Sequence, residues 1–160
     1  MAKKRTVKAG AAGATARIKA RDAATRGKIV KLADELVTKT FAGKEPKITI
    51  PTRTRSNTIW NKKKGILQMG DAASDRELFN LNQAKQFMQT MLHASTIKDL
   101  IEREKTSSLR GVFYKAKHTV AGTKENTFDT QDESDPILED LEVALGALRE
   151  ELHVFAENRG

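Results

Sequence analysis

The chain has 160 residues, 38% of them hydrophobic and 31% charged, enough for one ordinary domain with a polar extension. It holds no cysteine, so disulfides, thiolate zinc sites and cysteine nucleophiles are excluded, as suits a reducing intracellular setting. No apolar run approaches the roughly 18 residues of a membrane span, and the N-terminus lacks the apolar stretch of a secretory signal. A soluble, cytoplasmic protein without a membrane partner is expected.

The formal charge of +8 lies in one place. Residues 1–28 hold nine bases, Lys3, Lys4, Arg5, Lys8, Arg17, Lys19, Arg21, Arg26 and Lys28, against Asp22 alone, so the remaining residues sum to zero. Overall basicity therefore describes the N-terminus, and nucleic-acid binding by the rest needs its own sign. With Val7 and Ile18 as its only larger apolar side chains, residues 1–28 are expected to form a disordered basic tail ahead of a domain spanning 29–160. Such a tail touches nucleic acid non-specifically, stays solvated, or serves as a transit sequence; composition leaves these open.

Within the domain, Ile29, Ala33, Leu36, Val37 and Phe41 recur at helical spacing until Gly43 and Pro46 stop the pattern. Lys47–Pro51 alternates like a strand, and Thr58–Trp60 with Ile66–Met69 flank the turn Asn61–Gly65, which predicts a small hairpin sheet. Lys62 to Lys64 at the hairpin tip read as a solvated edge in preference to a phosphate grip. Leu81, Ala84, Phe87, Met88, Met91 and Leu92 mark a helix, and Met88 and Met91 are core filler. The phase then slips, and Thr96 with Asp99 resembles a fresh cap, so two consecutive helices are expected. Lys105–Ser108 supplies capping hydroxyls for a helix to about His118, followed by a polar loop from Gly122 to Glu133. Asp135–Pro136 starts a last helix whose Leu138, Leu141, Leu145, Leu148, Leu152 and Phe155 alternate steps of three and four. Glu139, Asp140, Glu142, Glu150 and Glu151 make its surface acidic, with Arg149 the only base, which suits packing or a partner better than DNA.

Residues 105–124 contain Lys105, Arg110, Lys115, Lys117 and Lys124 and no acid. At 100° per residue, Leu109, Val112, Phe113 and Ala116 share an apolar face, and Arg110, Tyr114 and Lys117 line up opposite. Tyr114, the only tyrosine, therefore points away from the core. Neighbouring cations favour a phenolate, can hold a phosphodiester, and stabilise charge on a phosphorane. An outward tyrosine on an amphipathic helix is by itself more often a rim or stacking residue. His118 lies one turn on and is better read as a helix-end cation than as a proton acceptor.

The run Thr106–Thr119, with Glu125–Asp129, Asp132–Pro136 and Leu138–Leu152, resembles the N-terminal domain of the archaeal topoisomerase VI A chain. Ile50–Pro51, Leu67–Gly70 and Ala84–Thr90 are similar to the same family, which also contains the eukaryotic meiotic double-strand-break protein. The resemblance covers about residues 29–158 and implies a mainly α fold with a small β-hairpin sheet, the catabolite-activator-like winged helix. It implies that Tyr114 is the nucleophile and that Arg110, four residues earlier, supports it; the basic patch itself makes Lys105, Lys115, Lys117 and Lys124 the expected contacts to double-stranded DNA. The implied chemistry is a transesterification that leaves a covalent phosphotyrosine and preserves the phosphoester for resealing.

Family members continue into a Toprim domain whose acids bind Mg²⁺, and they take ATP only through a B subunit. The resemblance therefore implies an A-subunit homodimer within a heterotetramer, associated with the nucleoid. Residues 129–142 read as solvated or interfacial acids, so no metal site is assigned, and the 160 residues alone are expected to be incomplete and inactive. The alternative is a non-catalytic winged-helix module for DNA binding or subunit docking.

Overall fold

The structure, a computed structural model, describes residues 3–62 and 65–156. In chain order it comprises α1 (Lys3–Phe41), β1 (Lys47–Pro51), β2 (Thr58–Asn61), β3 (Ile66–Met69), β4 (Ala73–Glu77), α2 (Leu81–Glu102), β5 (Ser107–Ser108), α3 (Leu109–Ala116), α4 (Gln131–Leu145) and β6 (Val154–Phe155). Short 3₁₀ turns at Arg55–Asn57 and Arg149–Leu152 complete it. The mainly helical content and the small β-hairpin agree with expectation.

The first difference is at the N-terminus, where α1 runs unbroken through the boundary expected after residue 28. Disorder was expected because residues 1–28 offer little to bury, yet they are dominated by Ala, Lys and Arg, among the strongest helix formers. The packed stripe also begins earlier than the apolar pattern suggested. Thr25 is buried beside Ile29 and Leu36, and Asp22 sits 3.1 Å from His153. Lys19 and Arg26 face Glu104 and Glu102 at 3.5 and 4.0 Å. Gly43 ends the helix with φ +66, while Lys44 N–H returns to the Lys39 carbonyl at 2.9 Å.

β1 alternates as its sequence implies, with Ile48 and Ile50 buried and Thr49 outward. Its antiparallel partner is β4, a polar strand with no hydrophobic alternation, paired from Lys47↔Glu77 to Pro51↔Ala73. The hairpin β2–β3 forms the second sheet, with Trp60 opposite Leu67; its tip residues Lys63 and Lys64 lie outside the described residues. Asn57 joins the two sheets. Its amide donates to the Thr52 and Ala72 carbonyls, both at 2.8 Å, and its oxygen accepts from Ala72 N–H at 3.0 Å. Gly70 passes so close that a Cβ there would run into the Asn57 side-chain oxygen.

α2 is one helix of 22 residues, not two. Its buried positions include Phe87, Thr90, Ala94, Ile97 and Ile101, a regular alternation of three and four. The apparent phase slip arose because Gln89, Thr90 and His93 are polar and yet buried, so an apolar count misses them. Thr96 lies inside the helix and caps nothing.

The last helix also differs. α4 begins at Gln131, four residues before the expected Asp135 cap, and ends at Leu145. Gly146 adopts the left-handed conformation, φ 53, and its N–H bonds the Glu142 and Val143 carbonyls. The leucine stripe then breaks: Leu138, Leu141 and Leu145 are buried on α4, whereas Leu148 is 68% exposed. Leu152 reaches the core from the 3₁₀ turn, and β6 pairs in parallel with β5. The main core thus gathers Ile29, Ala94, Ile97, Leu100, Val112, Leu138, Leu141 and Leu152 around α2.

Asn57→Ala removes three hydrogen bonds between the sheets and leaves two carbonyls and one N–H without them. The expected loss is about 2 kcal/mol, read as a lower urea midpoint with an unchanged slope.

Candidate active site

α3 is short, and its ends are fixed from outside. Ser108 caps its N-terminus by accepting Gly111 N–H at 3.1 Å. The residue before, Ser107, donates its N–H to the His153 carbonyl at 3.0 Å within the β5–β6 pair. His153 in turn sets its Nδ1 2.9 Å from the Lys105 carbonyl. At the other end Lys117 N–H bonds the Phe113 carbonyl at 2.8 Å.

Burial sets the rotation of the helix. Val112, Phe113 and Ala116 are buried and Leu109 packs against the core, as the helical wheel predicts. Tyr114 is consequently 64% exposed, and Arg110 one turn earlier is exposed on the same side. The phenol ring lies against Phe113, at 5.1 Å between centroids and tilted 48°.

Beneath α3 lies the segment expected to be a polar loop. It turns at Gly122, pairs Thr119 with Asn126, and brings Thr127 and Phe128 into full burial. Thr127 Oγ1 donates to the Ala116 carbonyl at 2.7 Å and accepts His118 N–H at 3.0 Å, which closes the C-terminal end of α3. Phe128 stacks on His93 of α2 at 4.7 Å. His93 Nε2 meets Ser134 Oγ at 3.0 Å, while its Nδ1 has no hydrogen-bond partner among the described residues. Burial pushes the His93 imidazole down to about 4, opposed only by the Ser134 contact. The spacing marks none of them as buried: Thr127 and Phe128 lie in a loop without periodicity, and His93 and Ser134 are polar residues on the inner faces of α2 and α4.

The basic residues divide. Lys117 is committed to the chain, with its ammonium 2.9 Å from the Asp129 carbonyl and 5.2 Å from the centre of the Phe113 ring. Lys105, Arg110, Lys115 and Lys124 form no ion pair among the described residues and are exposed. His118 Nδ1 lies 3.0 Å from the Ala116 carbonyl, which leaves Nε2 as its outward nitrogen.

Two acids of the neighbourhood, Asp129 and Glu133, are engaged within the chain. Asp129 and Glu133 hold Lys85 at 3.1 and 2.9 Å, and Glu133 also accepts from Gln89 at 2.8 Å. Burial would raise the Glu133 pKa, but hydrogen bonds from Asp129 N–H, Lys85 and Gln89 outweigh it and hold the carboxyl below its ordinary value. On α4, Glu139 and Asp140 pair with Arg53, Asp140 also with Arg76, and Arg149 with Glu142 at 2.6 Å. No group of three or more His, Asp or Glu suited to a metal ion occurs among the described residues. The donor set for Mg²⁺ is therefore not met by the described residues of this chain. No described helix is long and apolar enough to cross a membrane.

Residues 85–154, which include all of α3, match the family model for type IIB DNA topoisomerase. Over 133 residues the chain is 44% identical to the A chain of type 2 DNA topoisomerase 6 from Pyrococcus horikoshii, an alignment covering 83% of this chain and 35% of that protein. The corresponding proteins of Pyrococcus abyssi and Aeropyrum pernix are 42% and 41% identical over 133 residues each, covering 83% and 78% of this chain. The chain spans about a third of the length of these curated relatives.

The His93 environment makes stability depend on pH. An imidazole at 6.5 when unfolded and about 4 when folded binds protons preferentially in the unfolded chain between those values. Stability is thus complete above pH 6.5 and falls as pH drops towards 4, by about 3 kcal/mol. Thermal unfolding across that range should show the slope, and His93→Gln should flatten it.

Proposed function

We propose that this chain, similar over most of its length to the A subunits of type 2 DNA topoisomerase 6, carries the DNA-cleaving tyrosine of a type IIB topoisomerase. The observation that supports the reading is the exposed pair of Tyr114 and Arg110 on one face of a helix fixed at both ends. The fold in which they sit is read as a winged helix, with α2 and α3 as its helical pair and β2–β3 as the wing.

The chemistry follows from what these residues can do. Lys105, Lys115 and Lys124 hold the duplex through its phosphates, which positions without reading sequence. The Tyr114 oxygen attacks phosphorus as its proton is lost to solvent. A tyrosine–phosphorus bond forms, the bond to a DNA hydroxyl breaks, and that hydroxyl leaves with a proton. Arg110 stabilises the negative charge that builds on the non-bridging oxygens. Because one phosphoester replaces another, the reverse step reseals the strand without an external energy source.

No step is assigned to a metal: Asp129 and Glu133 near α3 are already paired with Lys85, and no group of three or more acids or histidines suited to a metal ion occurs among the described residues. Mg²⁺ is proposed to be held by a Toprim domain, and ATP by a B subunit. The working assembly is then an A-subunit homodimer within a heterotetramer, each A protomer cutting one strand, in the cytoplasm at the nucleoid.

The test joins this chain to the remaining two thirds of the Pyrococcus horikoshii protein, then supplies a B subunit with ATP and Mg²⁺. Cut DNA should carry protein on its ends. Tyr114→Phe should bind DNA as the parent does but give no covalent ends, and Arg110→Ala should lower cleavage by about 10²-fold or more. Cutting by Tyr114→Phe at the parent's rate would instead make this a non-catalytic binding or docking module.

A further inference from the structure

Three ionic contacts tie α1 to the chain around the entry of the tyrosine helix, and they differ in burial. Lys19 faces Glu104 and Arg26 faces Glu102 from exposed stems, where an ion pair contributes little. Asp22 and His153 lie 3.1 Å apart with side chains only 14% and 10% exposed. Asp22 Oδ1 is fully buried and has no aligned hydrogen-bond donor among the described residues, with Arg21 standing off at 4.0 Å. A buried carboxylate oxygen so placed is costly unless positive charge stands beside it. His153 Nε2 attracts it only when that nitrogen carries a proton.

The rest of His153 serves the entry to α3. Its Nδ1 lies 2.9 Å from the Lys105 carbonyl, and a carbonyl only accepts, so Nδ1 donates. Its own carbonyl takes Ser107 N–H at 3.0 Å. Ser107 is in turn pressed against the first turn of α3, since a Cβ on Gly111 would run into its side chain. Ser108 caps the Gly111 N–H. A shift of His153 therefore reaches the residue next to Arg110 through bonds and close packing, which transmit strain with little slack.

His153 does this from a left-handed backbone, φ 59, where it closes the turn Arg149–Leu152. Glycine fills such a position without strain, but it would bring no ring. We infer that His153 is a positioning residue for the tyrosine helix and that Asp22 orients its ring, so that the seating of α1 is transmitted to Tyr114. The transmission rests on the contacts of His153; its effect on cleavage rests on the proposed function. The basic helix that carries Asp22 is thus part of the support of the site.

Tyr114 is the only tyrosine, so fluorotyrosine labels it alone, and its fluorine resonance reports its surroundings without any cleavage. His153→Asn keeps a residue that tolerates left-handed backbone but is too short to join Asp22 to Lys105. It should shift or split the resonance and speed exchange of the Gly111 amide about tenfold. Asp22→Ala exchanges a buried carboxylate for a strong helix former, and so remains folded even where His153→Asn does not. It should move both readouts the same way. The double variant should go no further than His153→Asn alone, because Asp22 acts through the ring. Lys28→Ala removes a different α1 contact, from Nζ to the Gly146 carbonyl at 2.8 Å on the α4 side, and should move neither readout. Nitrogen spectra of the His153 ring should show a proton on Nδ1.

An unmoved resonance in both single variants overturns the inference. So does a double variant in which the two effects add, a Lys28→Ala protein with the same change, or an Nδ1 without a proton. In the reconstituted enzyme, Asp22→Ala should lower the yield of covalent ends about tenfold at unchanged DNA affinity. Cutting at the parent's rate overturns the positioning role. If the resonance moves as stated while the parent itself forms no covalent ends, the cleavage reading fails and the coupling of α1 to α3 stands.

Discussion

The structure depends on the polar side chains that α2 carries into the interior. Gln89, Thr90 and His93 are all buried, and a buried polar group without a partner costs on the order of 1–3 kcal/mol. Each is answered from a different element. Gln89 donates to the Thr127 carbonyl and to Glu133, Thr90 receives Arg76 of β4 at 2.6 Å, and His93 meets Ser134 of α4. The apolar core could close in several rotations about α2, but these bonds admit one. They fix β4, the 118–130 segment and α4 around the same helix.

That arrangement decides where the chain's charge is free. Arg76 is buried, which pulls its pKa below the ordinary arginine value against the pull of Asp140. With Arg53 it occupies the acids that made α4 look like a separate negative surface, and Arg149 takes Glu142. The acidic face of α4 is thus an internal counterweight. On the other side, Lys105, Arg110, Lys115 and Lys124 have no such partners among the described residues. A body with no net charge therefore presents an unbalanced basic surface at α3.

What could be read from the sequence follows from how local each signal is. α3 was legible down to its cap and its outward face, because an amphipathic helix of eight residues records its environment in its own spacing. β1 was legible for the same reason, and the β2–β3 hairpin from the turn at Asn61–Gly65 between its two apolar runs. The strand β4, Ala73–Glu77, was not, because its neighbours and not its composition make it a strand. Along α2 the pattern appeared broken where polar residues are buried, and along α4 it appeared to continue where Gly146 in fact ends the helix. In α1, the scarcity of apolar residues masked a high intrinsic propensity, which suffices for helix where packing is not required. The least legible part was the underside of the candidate site, since nothing in the spacing of Thr127, Phe128 and Ser134 marks them as its support.

On the proposed function, a tyrosine that must reach a phosphorus atom cannot be held by burial, since packing that fixed the ring would also exclude the substrate. The structure meets this conflict by fixing the backbone and leaving the side chain free. Ser108 and the β5–β6 pair hold one end of α3, Thr127 holds the other, and Phe113 anchors the helix one residue before the phenol. The freedom of Tyr114 is thereby confined to its own side-chain torsions. The same logic explains why Arg110, the partner on its face, also lacks an acid among the described residues. A guanidinium already paired within the chain would have to break that pair before it could stabilise charge on a phosphate, and the cost would fall on the transition state.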